Sequence, residues 1–228
     1  MLKEAQEEDD KTGLSRCYNI MSQIYTIKRF DSMAFEWRLK EIELTEKYKI
    51  ENYNISQTYA QIANYYINQK KQKEALAAVE KAIATANSST QQISAKLEFV
   101  NYYSKFGDFQ AAEKLLKECQ AAFEQDKRLE SIKKRLYNIE CLYYQQTKQY
   151  PKALEAAKMQ EKEERRLSES ILSSSHYRTQ GEIYQKMGNM NLAVKYLQMY
   201  INTDDSLKIA NEQVASSEFA TLLNVEKL

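Results

Sequence analysis

The chain has 228 residues, of which 43% are hydrophobic and 29% are charged, so it can bury a core in one large domain or in one elongated array. Its 33 lysines and arginines balance 32 aspartates and glutamates, which gives no electrostatic reason to expect nucleic acid or an anionic membrane surface as the partner. One proline and four glycines are too few for a protein with many strand turns, and helix-forming residues dominate. We therefore predict an all-helical protein.

The sequence contains no segment typical of membrane insertion. No apolar run approaches the ~18 residues that a membrane-spanning helix needs. The first residues, "MLKEAQEEDDKTG", are charged and do not have the basic end and apolar segment of a signal peptide. We therefore expect membrane association only through segments outside this chain.

One pattern recurs along the chain every 37 to 41 residues. Each copy has an aromatic pair or near-pair, a short polar or helix-breaking stretch, and then a new helix with an early alanine. Such fixed-period similarity is typical of repeat proteins. The pattern predicts five units of helix, tight turn and helix, and in chain order the pairs are Ile24-Tyr25, Tyr65-Tyr66, Tyr102-Tyr103, Tyr143-Tyr144 and Ile183-Tyr184.

Several residues mark the predicted helix ends. Gly107 follows a helical run and is expected to end it in the left-handed conformation, and Asp108 is expected to cap the next helix. Ser89 and Gln92 have the spacing of a capping box. Pro151 lies where a second helix would start, a position that tolerates proline.

Small residues are expected where the helices of a unit approach each other. An alanine lies early in the second helix of four units, where a larger side chain would separate the two helices. Each unit would then bury its apolar face against its neighbours. These alanines are Ala75, Ala112, Ala153 and Ala193.

No constellation of residues points to catalysis. Cys17, Cys119 and Cys141 are odd in number and form no CxxC pair. We therefore expect each of them to be a small, buried hydrophobic side chain. His176 is the single histidine, so a site with two or three histidine ligands cannot form within this chain. Glycine-rich phosphate loops and GxSxG are absent from the sequence. We therefore expect no enzyme, no cofactor and no metal site.

The units resemble tetratricopeptide (TPR) repeats. The third unit supplies Phe99, Tyr103, Gly107-Asp108-Phe109, Ala112, Leu116 and Cys119, and the fifth supplies Tyr177, Gly181, Tyr184, Gly188-Asn189-Met190, Ala193 and Leu197. The chain departs from the family in its longer period, since TPR units have about 34 residues, and in lacking the closing proline.

The resemblance implies a right-handed α-solenoid of helix-turn-helix repeats. The array would cover residues 1–203, and a C-terminal capping or linker helix would cover 204–228. The expected unit bounds are about 15–50, 51–88, 89–128, 129–168 and 169–203.

The TPR resemblance also implies a concave face, lined by the first helix of each unit, that holds a protein or peptide ligand. Amides can pair with both the donors and the acceptors of an extended peptide, and arginine can bind a carboxylate with two hydrogen bonds. The alternative is that these polar side chains form a solvated surface. The expected binding residues are Gln57, Asn64, Asn68, Asn101, Lys105, Arg135, Asn138, Gln145, Gln146, Arg178, Glu182 and Gln185, with Arg16, Asn19 and Gln23 as their counterparts in the first unit.

The C-terminal residues resemble the end of the repeat sensor regions of Bacteroidetes-type signalling proteins, through Asp205-Ser206-Leu207 and Asn224-Val225-Glu226-Lys227. This resemblance implies a fragment of a larger protein, with a histidine kinase of a two-component system or a helix-turn-helix transcription regulator as the output. The fragment would be periplasmic and would dimerise through its C-terminal helix. The alternative is a free-standing cytoplasmic TPR adaptor or peptide-pheromone receptor that scaffolds protein complexes.

Overall fold

The structure, a computed structural model, describes residues 5, 8–28, 30–52, 54–167 and 174–204. The chain divides into two compact units, Met1–Thr147 and Lys148–Leu228, which we describe separately. All regular secondary structure in the described residues is helical, so the predicted all-α class is confirmed. The predicted C-terminal helix, 204–228, lies outside the described residues from position 205 onward.

The first unit is a succession of helix hairpins. Helix α1 pairs with α2, α3 with α4, and α5 with α6, and short connections make the partners antiparallel. Helix α5 packs against α3 on one side and α7 on the other. The helices are α1 (Lys11–Ile27), α2 (Asp31–Tyr48), α3 (Ile55–Asn68), α4 (Gln72–Ala84), α5 (Ser89–Phe106), α6 (Phe109–Gln125), a 3-10 helix (Lys127–Ile132) and α7 (Lys133–Gln146).

The second unit contains α8 (Tyr150–Leu167), α9 (Ser175–Lys186) and α10, which is helical over 190–204. Pro151 lies in the first turn of α8, as predicted. Helix α9 packs on α8, and the rings of Tyr177 and Tyr184 contact Tyr196 of α10. Gly181 lets α9 approach α10 closely, because a Cβ atom there would lie 2.9 Å from Leu197 Cγ.

Four short connections between consecutive helices contain a residue in the left-handed backbone conformation. Gly107 has a φ of 93° and Gly188 a φ of 77°, and both predicted TPR turn glycines therefore have a conformational role. Lys70 and Lys148 have φ values of 57° and 59°. Left-handed turns thus occur whether or not a glycine is present.

The cap prediction for Asp108 is confirmed, since its Oδ1 accepts a hydrogen bond from the Ala111 amide at 3.0 Å. The capping-box prediction was wrong by one residue. Ser88 is the residue that caps α5, accepting from the Gln91 amide at 3.2 Å, and Gln91 accepts from the Asn87 amide. Ser89 instead donates to Asp126 Oδ2 at 2.9 Å.

The core of the first unit has two clusters. One is centred on α3 and α4 and includes Tyr59 and Ala75, and the other joins α5, α6 and α7 through side chains such as Leu97 and Leu116. The four alanines predicted at helix contacts, Ala75, Ala112, Ala153 and Ala193, are all buried, as expected. Each large apolar side chain so buried contributes about 1.5–3 kcal/mol to stability.

Candidate functional site

A polar groove runs across α3, α5 and α7 in the first unit. It consists of two cavities of about 360 and 230 Å³ that share the side chains of Asn64, Asn68 and Asn138. We call it the three-helix groove. The remaining lining residues are Thr26, Asp31, Arg38, Ala60, Gln61, Tyr65, Gln69, Glu98 and Arg135 in the first cavity, and Ile67, Asn101, Ser104, Lys105, Leu142 and Gln146 in the second.

Seven of the predicted binding residues line this groove. They come from the first helices of three units, the side on which the TPR resemblance placed the ligand. The equivalent helices project amide or basic side chains toward the same two cavities. The seven are Asn64, Asn68, Asn101, Lys105, Arg135, Asn138 and Gln146.

Other predicted residues lie elsewhere. Gln57 is exposed but lines neither cavity, and Gln145 donates a hydrogen bond to Cys141 Sγ at 3.3 Å. Residues Arg178, Glu182 and Gln185 lie on α9 in the second unit.

In the first repeat, Arg16 and Asn19 line a separate cavity. Gln23 donates to Asn19 Oδ1 at 2.6 Å.

The accessibility of the groove amides differs. Asn64 and Asn101 are equivalent, since each lies two residues before the second tyrosine of its copy. Asn64 accepts from Asn68 at 3.1 Å and stays half-buried, whereas Asn101 is only 7% exposed and donates to Glu98 at 3.3 Å. Asn138 makes no side-chain hydrogen bond to the described residues and is partly exposed. The amides of Asn64, Asn68 and Asn138 are therefore the accessible ones, and Asn101 belongs to the floor.

A partly buried ion pair supports the floor of the groove. Arg135 Nη2 donates to Glu98 Oε1 at 2.6 Å, and Glu98 is 3% exposed. Removing Arg135 would leave the buried Glu98 carboxylate without its ion-pair partner, which is destabilising. The pair therefore holds α7 against α5 and fixes the depth of the groove.

A second arginine is anchored in the same cavity. Arg38 donates from Nε to Gln61 Oε1 at 2.7 Å and from Nη2 to Thr26 Oγ1 at 2.6 Å. Burial lowers the pKa of the Arg38 guanidinium, and the charges of Asp31 and Glu41 oppose that shift. Both arginines therefore have fixed positions in the wall of the first cavity.

Sequence reasoning missed Gln61, Glu98 and Arg38. Gln61 could have been found, because it lies on the same face of α3 as Asn64 and Asn68 by helical spacing. Glu98 occupies the equivalent position in α5. Arg38 gave no signal, because it belongs to the second helix of its unit.

The remaining chemistry of the described residues is limited. In that part of the chain, no group of three or more His, Cys, Asp or Glu side chains could hold a metal ion. Burial raises the pKa of Cys119 and Cys141 to about 11, so both thiols stay protonated at neutral pH and have no nucleophilic character. Among the helices that the structure describes, none has the length and apolarity needed to cross a bilayer.

Comparisons with known proteins identify the fold. No family model matches the sequence, and no curated protein matches it. The structure is similar to BtubC (BKLC) from P. vanneervenii, with a TM-score of 0.55, 14% identity, and coverage of 91% of this chain and 88% of that one. It is also similar to MamA, with a TM-score of 0.43, 17% identity and coverage of 84% and 92%.

A third similar structure is a kinesin light chain from Podosopora anserina with TPR-like repeats, which gives a TM-score of 0.43, 16% identity and coverage of 84% and 95%. At such identities a likeness shows the fold alone. The BtubC likeness and the succession of helix hairpins in the first unit agree with the predicted all-α fold of helix-turn-helix repeats.

Proposed function

We propose that this chain is a non-catalytic protein-binding domain that holds an extended peptide segment of its partner in the three-helix groove. The observation that carries the proposal is the position of Asn64, Asn68 and Asn138, which line both cavities. A ligand that follows these amides can therefore contact both cavities at once.

The side-chain chemistry of the groove suits a peptide backbone. Each asparagine offers a carbonyl oxygen and an NH₂ group, so one side chain can pair with a backbone N–H and a neighbouring C=O. The second cavity adds the exposed cation of Lys105 at its rim and the apolar side chains of Ile67 and Leu142. Polar contacts would hold the main chain while one side chain of the peptide enters this cavity.

Three charged side chains of the groove wall are already held in place before binding. Arg38, Glu98 and Arg135 are already fixed by hydrogen bonds within the first unit. A preorganised wall reduces the entropic cost of association. We therefore expect the main cost of binding to come from ordering the peptide.

The test uses a peptide selected from a displayed random library against the whole chain. Replacing Asn64 and Asn138 together by alanine should weaken its binding by about ten-fold or more, since each lost hydrogen bond contributes roughly 0.5–1.5 kcal/mol. Fluorescence polarisation with the labelled peptide measures the affinity. Asn101 is left intact, because it is buried and hydrogen-bonded to Glu98.

Gln57→Ala is the matched control, because Gln57 lies exposed on α3 but outside the groove. It should leave the affinity unchanged, and both variants should keep the melting temperature of the wild type. If the double variant binds as tightly as the wild type, the peptide does not bind in the three-helix groove.

We further propose that the domain is the sensory region of a larger bacterial signal-transduction or transcription-regulatory protein. The support is the resemblance of residues 205–207 and 224–227 to the ends of such sensor regions, and these residues lie outside the described part of the chain. The domain would then be periplasmic and would dimerise through its C-terminal residues. The alternative remains a cytoplasmic adaptor or peptide-pheromone receptor that scaffolds protein complexes.

The reading frame beyond Leu228 distinguishes these contexts. An apolar stretch of about 20 residues there supports the sensor, and an immediate stop codon favours the adaptor. Light scattering on the chain with and without residues 205–228 tests the dimer. A monomer in both cases would exclude dimerisation through that segment.

A further inference from the structure

The separate cavity that Arg16 and Asn19 line in the first unit also contains a buried carboxylate. The cavity has a volume of about 370 Å³ and shares no lining residue with the three-helix groove. Glu41 of α2 lies in its wall and is only 1% exposed. The other lining residues are Thr12, Ser15, Arg16, Asn19 and Ile20 of α1, and Ile50, Glu51, Asn52 and Asn54 of the α2–α3 connection.

Glu41 is surrounded by neutral hydrogen-bond donors. Asn52 Nδ2 donates to Oε1 at 2.8 Å, and Thr58 Oγ1 donates to Oε2 at 3.3 Å. Asn19 Nδ2 lies 3.3 Å from Oε1 and 3.2 Å from Oε2, so one amide straddles both oxygens. Donors of this kind favour the ionised carboxylate.

The charge of Arg38 acts on this carboxylate without a direct ion pair. Among the described residues, none forms an ion pair with Glu41 within 4.0 Å. Arg38, one turn earlier on α2, donates its hydrogen bonds to Gln61 and Thr26 instead. Burial raises the pKa of Glu41, while the hydrogen bonds from Asn52, Asn19 and Thr58 and the charge of Arg38 oppose this.

A buried carboxylate without a direct ion-pair partner is costly, and such charges are normally paired. Asn19 Nδ2 lies where a bidentate donor could contact both oxygens of Glu41, but its two distances are longer than the usual 2.9–3.0 Å of a hydrogen bond. A charged donor makes a stronger bond to a carboxylate than a neutral amide does. A guanidinium or ammonium group that entered from the cavity would therefore displace Asn19 and neutralise Glu41.

We propose that this cavity binds an organic cation, a guanidinium or primary ammonium group, through the carboxylate of Glu41. Glu51 at the rim adds a second negative charge, and Arg16 of α1 opposes it. The cation is either a free small amine or the arginine or lysine side chain of a partner. The site is independent of the peptide groove, so each proposal can fail without the other.

The test is a titration of the whole chain with ethylguanidinium chloride, near pH 7 and at constant ionic strength, followed by ¹H–¹⁵N NMR. We expect saturable shifts of the Asn19 and Asn52 side-chain amides, with a Kd of about 1–10 mM for so small a ligand. N-ethylurea, the neutral analogue, should give no saturable shift. The peptide acetyl-Gly-Arg-Gly-amide distinguishes the sources, since tighter binding than ethylguanidinium indicates a partner side chain and weaker binding a free amine.

Variants separate the carboxylate from its surroundings. Glu41→Gln should weaken the binding of ethylguanidinium by about ten-fold or more, because the charge-assisted bond is lost. Glu43→Gln is the matched control, since Glu43 is exposed on the same helix and does not line the cavity. Equal affinity of the Glu41→Gln variant and the wild type would overturn the proposal.

Two further variants keep the test decisive if Glu41→Gln does not fold. Asn19→Ala removes the donor that lies near both oxygens and leaves those from Asn52 and Thr58. Arg16→Gln removes the repelling cation. Each variant should therefore tighten ethylguanidinium binding by about two-fold. No saturable shift in the wild type or in either variant would also overturn the proposal.

Discussion

At the scale of single residues, Asp126 joins three pieces of the first unit. It ends α6, and its carboxylate accepts from Ser89 of α5 and from the side chain and backbone amide of Arg128 in the 3-10 helix. The hydrogen bonds from the Arg128 side chain, then from its backbone, and then from Ser89 hold the pKa of Asp126 well below its usual range. A group that is easier to ionise in the folded state adds stability only while it is ionised.

The contribution of Asp126 to folding stability depends on pH, because the pKa of its carboxyl is lower in the folded state. Stability from Asp126 is fully present above the unfolded pKa of about 3.9 and is lost as the pH falls through the lower folded value. Asp126→Asn should therefore lower the melting temperature near pH 7. The difference from the wild type should shrink between about pH 5 and pH 2, as acid removes the charge from the wild type too.

Scanning calorimetry from pH 7 to pH 2 measures this difference. Glu124→Gln is the control, since Glu124 is an exposed carboxylate two residues earlier in α6. A difference between Asp126→Asn and the wild type that is constant over the whole range would contradict the assignment.

At the scale of helices and turns, two lysines have a left-handed backbone conformation whose strain a glycine would relieve. Lys70 and Lys148 occupy the conformation that Gly107 and Gly188 occupy in other repeats. A non-glycine residue there costs roughly 1–2 kcal/mol, while glycine loses about 0.5–1 kcal/mol through the entropy of the unfolded chain. Lys70→Gly should therefore raise the free energy of unfolding by up to about 1 kcal/mol.

Urea denaturation followed by circular dichroism measures this gain. Lys114→Gly provides the contrast, because Lys114 is exposed in the middle of α6, where glycine should destabilise the helix by about 1 kcal/mol. A loss of stability in Lys70→Gly would show that the lysine side chain has a favourable role in the turn.

The contact between α9 and α10 depends on the missing side chain of Gly181. An added Cβ atom would lie 2.9 Å from Leu197 Cγ and 3.3 Å from the Leu197 backbone nitrogen, so one helix must move. We expect Gly181→Ala to cost about 1–3 kcal/mol in stability, as overpacked contacts do. Urea denaturation of the two single variants and the double variant measures it.

Leu197→Ala should relieve part of this strain. The double variant should be less destabilised than the sum of its two single variants, because the two positions share one contact. Strict additivity would mean that the strain at Gly181 has another source.

Part of this fold could be predicted from the sequence. The aromatic pairs, the turn glycines and the buried alanines predicted the helical class and the repeated hairpin, because each has a local physical reason. Ser88 and Ser89 are each followed by a glutamine three residues later, so no local signal could choose between them. The choice depends on Asp126 at the end of α6, because its carboxylate accepts a hydrogen bond from the Ser89 hydroxyl. The bounds of the five units stay a prediction.

The sequence predicted which side chains line the candidate groove, but not which of them are buried in its floor. Helical spacing placed Asn64, Asn68 and Asn138 on one side of their helices. It could not show that Asn101 lies on the floor, because the burial of a polar side chain depends on how neighbouring helices pack. Glu98 and Arg135 form their ion pair across α5 and α7, a contact that no sequence spacing encodes.

At the scale of the whole molecule, the first unit contains everything that both proposed sites need. The three-helix groove and the Glu41 cavity are lined by residues of Met1–Thr147 alone, and both apolar clusters lie within the same segment. Repeat arrays are stabilised by the sum of each unit and its neighbours, so a run of consecutive hairpins can fold when the rest is removed.

We therefore predict that residues 1–147 fold alone and keep the binding properties of the chain. The fragment should show a helical circular dichroism spectrum and a cooperative thermal transition, because its two clusters remain intact. Its affinity for the library-selected peptide should stay within about two-fold of the whole chain, since no groove contact is removed. The fragment 148–228 is the control and should not bind the peptide. A folded 1–147 fragment without peptide binding would mean that the second unit contributes to the site, and the assignment of the three-helix groove would have to be extended.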